Sequence, residues 1–165
     1  MGTSRTTSVK VMFVCLGNIC RSPTAQGIFQ KMVDDAGMSE VIQVESSGTG
    51  SWHIGEGPDA RAATAALQRG YDLRALRAQQ VKPSDFEEFD YILAMDKQNL
   101  ADLRRMCPEK YKGTLSLFLP YGSNSQYEEV PDPYYGGNQG FELVLDLVED
   151  AARALLDEIK SIHQL

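Results

Sequence analysis

Short apolar runs alternate with helical patterns along most of this chain, and this alternation restricts the fold more than any other feature. The strand-like apolar runs cover residues 9–14, 41–46, 91–95 and 114–119. Helical spacing of apolar residues lies between Pro23 and Gly37, over 59–69, after Asp96 and over 141–163. Strands that alternate with helices are typical of parallel sheets with crossover connections. The sequence therefore predicts an α/β fold, a doubly wound, four-stranded parallel sheet with helices on both faces.

Several residues mark the expected ends of these helices. Ser22 and Pro23 look like an N-cap followed by proline at the first helical position. Gly37 and Gly70 are suited to the turns that end helices. Asp96 is suited to capping the helix that follows it.

Length and composition indicate a globular chain of ordinary kind. The 165 residues predict one domain over 9–165 after a flexible tail at 1–8. Apolar residues make up 42% and charged residues 24%, which is usual for globular proteins. The net charge of −7 argues against a nucleic-acid partner, because such binding requires a basic face. A monomer is the default expectation.

The sequence also indicates where in the cell the protein is expected. No run approaches the roughly 20 apolar residues of a membrane span, so no membrane association is expected. The polar start, MGTSRTTS, does not resemble a signal peptide. Three cysteines imply no disulfide framework. The cytoplasm is therefore the expected location.

The segment CLGNICRSP, from Cys15 to Pro23, connects the first strand to the first helix. In an α/β sheet, ligands bind beyond the carboxyl ends of the strands, where this segment lies. Five residues separate Cys15 from Arg21, enough for a loop whose backbone N–H groups surround an anion next to a helix N-terminus. Arg21 could grip two phosphate oxygens, and the positive surroundings favour a nucleophilic thiolate at Cys15.

Supporting roles are expected for other residues of this loop. Gly17 permits unusual backbone angles, and Asn18 tolerates the left-handed region. The Ser22 hydroxyl could stabilise the Cys15 thiolate. The predicted phosphate-binding loop comprises Leu16, Gly17, Asn18, Ile19, Cys20, Arg21 and Ser22.

The cysteines also have plainer interpretations. Cys15 could be an ordinary buried core residue. A metal site is not expected, because Cys15 and Cys20 lack a second cysteine pair or a histidine cluster. Cys20 either packs in the core or is a redox partner that pairs with Cys15 on oxidation. Cys107, beside Pro108, is expected to be structural.

A thiolate attack on a phosphate ester also needs an acid to protonate the leaving oxygen. Asp132 stands between two prolines in VPDPYYGG, after the last predicted strand, where its loop should reach the same sheet edge as Cys15. Tyr134 and Tyr135 follow and could form an aromatic wall. The plainer alternative is a proline-aspartate turn.

Taken together, CLGNICRSP near the start and DPYYG late in the chain resemble the low-molecular-weight protein tyrosine phosphatases. The resemblance extends over essentially the whole chain after its first eight residues, including SSGT, GPDAR and AMDKQNL. It implies hydrolysis of phosphotyrosine proteins without a cofactor or metal, through a cysteinyl-phosphate. A tyrosine kinase is one possible protein substrate, and inorganic phosphate is the product.

The resemblance also implies residue roles. Cys15 matches the nucleophile, Arg21 the phosphate-binding arginine and Asp132 the general acid and base. Further matches are supporting residues and pocket walls: Asn18, Ser22, Ser46, Trp52, Tyr134 and Tyr135.

One departure concerns the segment behind the loop. Many relatives carry a histidine and an arginine in an H-x-A-R-Q stretch, where this chain is predicted to have Ala75 and Ala78.

Two other functions are considered. An arsenate reductase on the same scaffold would need a late redox pair, whereas Cys107 stands alone. A non-catalytic phosphate or phosphotyrosine-binding module would not need Cys15, Arg21 and Asp132 together.

Overall fold

The computed structural model of the chain describes residues 8–124, 126–133 and 137–165. Apart from Ser8, the predicted N-terminal tail lies outside these ranges. Within them the strands are β1 (Val9–Cys15), β2 (Ile42–Gly48), β3 (Tyr91–Ala94) and β4 (Thr114–Leu117). The helices are α1 (Arg21–Asp35), α2 (Ala60–Gln68), α3 (Asp85–Glu88), α4 (Lys97–Met106) and α5 (Gly137–His163), with a 3₁₀ turn at Leu119–Tyr121.

The four strands form one parallel sheet in the order β2-β1-β3-β4. The chain adds β2 on one side of β1 and then crosses to place β3 on the other side. This change of direction leaves a crevice at the carboxyl end of β1, which is where ligands bind in such sheets. The predicted fold class is confirmed.

Helices cover both faces of the sheet. On one face, α1, α2 and α5 bury apolar residues against alternate positions of β1, among them Val11 and Phe13. On the other face, α3 and α4 pack Phe86, Leu100 and Leu103 against Met12 and Val14. The β1 strand is therefore buried on both sides, as its nearly continuous apolar sequence requires.

Helix ends partly follow the sequence-based expectation. Gly37 and Gly70 adopt positive φ angles of 72° and 92°, each one residue beyond the C-cap of α1 and α2. Asp96 caps α4, because its side chain accepts the N–H of Asn99. Asp59 caps α2 in the same manner.

The expected start of α1 is wrong. The helix begins at Arg21, with Cys20 in the cap position and no side chain capping it. Ser22 is buried inside the first turn, where its hydroxyl faces Cys15 instead of a backbone N–H. The serine therefore serves the preceding loop, and Pro23 comes two residues into the helix.

Other boundaries also differ. The second strand runs to Gly48, the last strand ends at Leu117, and α5 begins at Gly137, four residues before the expected start. The short helix α3 was not predicted, because four residues carry too little periodicity to be recognised.

Candidate functional site

The segment from Cys15 to Arg21 curls at the carboxyl end of β1 and leads into α1. Asn18 lies at its centre with a positive φ of 56°, as its tolerance of the left-handed region led us to expect. The expectation for Gly17 is wrong, since it is not among the described positive-φ residues. Its missing side chain matters for space instead, because a Cβ there would lie 3.0 Å from the ring of His53.

The neighbouring strand leaves room for this loop. Gly48 of β2 is paired with Cys15, and a Cβ at position 48 would lie 2.6 Å from the carbonyl oxygen of Leu16. A backbone hydrogen bond also joins the loop to the segment after β2, since Gly50 N–H donates to Leu16 O at 2.9 Å. A glycine at position 48 is therefore required for the loop to lie this close to β2.

Cys15 is 3% exposed, and its sulfur lies among hydrogen-bond donors. The N–H of Asn18 donates to Cys15 Sγ at 3.2 Å, and Ser22 Oγ lies 3.0 Å from the same sulfur. Such donors stabilise a thiolate, both as a nucleophile and as a leaving group.

A polar network behind the loop holds these donors in place. Asn18 Nδ2 donates to Ser22 Oγ and Ser46 Oγ, each at 2.9 Å, and Asn18 Oδ1 accepts the Gln79 N–H at 2.8 Å. Ser46 Oγ in turn donates to Gln26 Oε1 at 2.6 Å. The predicted supporting residues Asn18, Ser22 and Ser46 thus lie in one network.

The segment predicted to depart from related sequences contributes through its backbone and an amide side chain. Ala75 is exposed and Ala78 is buried. Gln79 lies behind the loop, where its N–H contacts Asn18 and its Nε2 donates to the Ser46 carbonyl at 2.9 Å. Sequence reasoning missed both Gln79 and Gln26, because an isolated glutamine has no recognisable motif.

Arg21 is held on one edge by two acceptors. Its Nη1 donates to Asp96 Oδ2 and to the carbonyl oxygen of Val130, each at 3.0 Å. Asp96 was expected only as a helix cap, and its second oxygen supplies this ion pair. Holding one edge of the guanidinium orients the remaining N–H groups for an anion.

A cleft of about 180 Å³ brings the main predicted residues together. Its lining residues are Cys15, Leu16, Gly17, Ile19, Cys20, Arg21, Trp52, His53, Asp132 and Pro133. Asp132 is exposed at the rim, and Trp52 is 69% exposed. Tyr134 and Tyr135, the predicted opposite wall, lie outside the described residues.

The second cysteine of the loop differs in character from Cys15. Burial, assisted by the negative charge of Asp59, raises the pKa of the Cys20 thiol to about 12. Cys20 packs with Ala62 and Phe141 and also borders the cleft. All three cysteines are free thiols in the structure. The packing interpretation of Cys20 is thus observed, and its redox role stays a prediction.

The described ranges bear on metal binding and on membrane insertion. Across residues 8–124, 126–133 and 137–165, no three histidine, cysteine, aspartate or glutamate side chains are grouped so as to hold a metal ion. Among the helices of those same ranges, none combines the length and the apolar character that a bilayer crossing needs.

Comparison with known proteins gives the family. The model of the low molecular weight phosphotyrosine protein phosphatase family matches residues 10–165. The chain belongs to this family. A putative low molecular weight protein-tyrosine-phosphatase of Synechocystis is 45% identical over 92% of this chain and 96% of its own.

Solved structures agree with this assignment. A protein tyrosine phosphatase from Entamoeba histolytica, crystallised with Hepes in the active site, has a TM-score of 0.88 and 40% identity over 93% of this chain and 98% of its own. The YfkJ protein of Bacillus subtilis has a TM-score of 0.87 and 38% identity over 96% and 98%. The fold and the family predicted from the sequence are both confirmed.

Proposed function

We propose that this protein hydrolyses phosphotyrosine in protein substrates through a cysteinyl-phosphate intermediate. The supporting observation is the position of Cys15 Sγ, which contacts Asn18 N–H and Ser22 Oγ at a cleft that Arg21 and Asp132 also line. Family membership supports the same reaction.

In the first step, the Cys15 thiolate attacks phosphorus and the bond from phosphorus to the tyrosine oxygen breaks. Asp132 gives its proton to the departing oxygen, so that tyrosine leaves as a neutral phenol. Loop N–H groups and Arg21 stabilise the charge on the transferring phosphoryl oxygens.

In the second step, water replaces the thiolate on phosphorus. Asp132, now a carboxylate, takes a proton from water as the new bond to phosphorus forms. The sulfur–phosphorus bond breaks, and the thiolate returns to the hydrogen bonds of Asn18 and Ser22. Inorganic phosphate leaves, and the enzyme regains its starting charge.

Substrate selection would depend on the depth of the cleft and its walls. Trp52 supports a preference for an aryl phosphate, because an indole can pack against a tyrosine ring. Among proteins, an autophosphorylated tyrosine kinase is one candidate substrate. Substrate trapping with Cys15→Ser or Asp132→Ala protein would identify the physiological one.

The three free cysteines support the cytoplasm as the proposed location, because the nucleophile must stay reduced to act.

The arsenate reductase alternative finds no support at Cys107. Cys107 directly follows α4, which starts beside β3 and is about 15 Å long, so the thiol lies well away from the loop.

The deciding experiment is hydrolysis of p-nitrophenyl phosphate in the presence of a metal chelator. We expect turnover that Cys15→Ser abolishes. Binding of phosphotyrosine without turnover would indicate the non-catalytic module instead. Turnover by the Cys15→Ser protein would show that another residue is the nucleophile.

A further inference from the structure

A chain of side-chain hydrogen bonds runs from Gln26 on α1 to Cys15. It passes from Gln26 through Ser46 and Asn18 to Ser22, with separations of 2.6, 2.9 and 2.9 Å. Ser22 Oγ lies 3.0 Å from Cys15 Sγ and completes the chain. Ser22, Asn18 and Ser46 are at most 5% exposed, so water does not readily supply alternative partners.

The direction of donation is fixed at the Gln26 end. Gln26 Nε2 donates to the carbonyl oxygen of Val44 at 3.3 Å, and a carbonyl can only accept. Gln26 therefore presents Oε1 to Ser46, so the Ser46 hydroxyl must donate to it. Ser46 Oγ is then available to accept the hydrogen bond from Asn18.

The direction is also fixed at the other end of the chain. The Gln79 N–H can only donate, so Asn18 turns Oδ1 toward it and Nδ2 toward the two serines. Because Ser22 Oγ accepts from Asn18, its own hydrogen is left for Cys15 Sγ at 3.0 Å or for the Ser47 carbonyl oxygen at 3.3 Å. The sulfur is the nearer acceptor, and once ionised it is the stronger one.

We propose that Gln26 is a positioning residue that helps to keep the Ser22 hydroxyl donating to Cys15, by supplying the acceptor at one end of a chain whose other end is fixed by the Gln79 N–H. The consequence for turnover depends on the proposed phosphatase function. Without an acceptor at position 26, the buried Ser46 hydroxyl must find another partner, and Asn18 is the one already in contact. Donation from Ser46 would oppose the orientation that the Gln79 N–H imposes on the Asn18 amide, and in the turned orientation the amide oxygen would also draw the Ser22 hydrogen away from Cys15.

The first test is Gln26→Met, which keeps the length of the side chain and removes the acceptor. The readout is the pH dependence of Cys15 alkylation by iodoacetamide, followed by peptide mass spectrometry that separates Cys15 from Cys20 and Cys107. Weaker donation to the thiolate should move the midpoint of this curve upward by about 0.5 to 1 pH unit. We expect kcat for p-nitrophenyl phosphate to fall about 3- to 10-fold, with KM little changed.

The matched control is Gln30→Met, one turn further along α1, where the amide donates to the exposed carboxylate of Asp34. This variant should leave the alkylation midpoint and kcat unchanged. Circular dichroism would establish that both variants are folded.

A double-mutant cycle with Ser46→Ala separates positioning from simple packing. If Gln26 acts through Ser46, then Gln26→Met should shift the alkylation midpoint in the native background and add nothing in the Ser46→Ala background. Equal shifts in both backgrounds, or no shift in either, would overturn the proposal. Because alkylation needs no phosphate ester, this result stands even if the protein proves to lack phosphatase activity.

Discussion

Arg21 Nη1 donates a hydrogen bond of 3.0 Å to the backbone carbonyl of Val130, two residues before Asp132. The N–H of Val130 is held as well, by the Met95 carbonyl oxygen at the end of β3 at 2.7 Å. The side chain proposed to bind phosphate therefore also fixes the segment that carries the proposed acid. Phosphate bound through the other guanidinium nitrogens would leave this link intact.

We expect Arg21→Lys to lower kcat/KM for p-nitrophenyl phosphate by about 100-fold or more. A lysine provides one ammonium group, which cannot bind two phosphate oxygens while also holding Asp96 and Val130. Steady-state kinetics and inhibition by inorganic phosphate would measure the loss. An activity within a few-fold of the native protein would exclude the proposed role of Arg21.

For Asp132→Ala, we expect the rate of the first step to become strongly dependent on the leaving group. Without an acid, a phenol of high pKa must depart as an anion, so its ester should react about 100-fold or more slowly. The first-step rates for esters of acidic phenols should fall much less. Single-turnover rates across a series of substituted phenyl phosphates give this dependence, and an unchanged slope would remove Asp132 from the role of acid.

Glu129 offers a subtler test of how the acid is positioned. Its carboxylate accepts the backbone N–H of Lys97 at 2.7 Å, which ties the segment before Asp132 to the start of α4. We expect Glu129→Ala to slow esters of poor leaving groups about 3- to 10-fold and to spare good ones, because only proton donation depends on the position of Asp132.

The matched control for this test is Glu128→Ala. Glu128 forms an exposed ion pair with Lys97, and this ion pair joins two side chains without involving the backbone. We expect its kinetics to stay native. Equal effects of the two substitutions would indicate a general loss of charge near the cleft rather than loss of the backbone anchor.

Alkaline pH should destabilise the fold through Cys20. Its pKa in the folded state is about 12, above the ordinary value near 9, because burial disfavours the thiolate. The folded state therefore holds this proton more tightly than the unfolded state. The resulting stability is fully present below pH 9 and is lost as pH rises toward 12.

We expect the native protein to lose up to about 1.4 kcal/mol of unfolding free energy per pH unit more than Cys20→Ala in that window. Urea unfolding under reducing conditions at pH 8, 9 and 10 would measure the difference. Cys107→Ala, at a more exposed thiol, is the control. Its unfolding free energy should keep most of the native dependence on pH. Identical slopes for native and Cys20→Ala proteins would rule out Cys20 as the source of the alkaline loss.

For physical reasons, the sequence was sufficient to predict the sheet and to place Cys15, Arg21 and Asp132 at one edge of it. Strand and helix periodicities differ, and the chemistry of Cys15, Arg21 and Ser22 is concentrated in one short segment. Asp132 could be chosen because a parallel sheet brings its loop to the same edge as Cys15.

Other features depend on tertiary contacts that no local pattern encodes. Ser22 looked like a helix cap, yet the proximity of Cys15 and Asn18 drew its hydroxyl into the loop network. The second role of Asp96 arises only once β3 lies beside β1 and brings it to Arg21. Gln26 and Gln79 each reach the network behind the loop because of strand register and helix docking, and the sequence around them gives no sign of it.

The close approach of Gly48 to the loop has a consequence for directed evolution. A side chain at position 48 would press on the Leu16 carbonyl, so nearly every substitution there should be lost from an active library. Leu16 and Trp52, which line the cleft, are instead 47% and 69% exposed. A selection for new substrates should therefore accumulate its changes at these two positions while position 48 stays invariant.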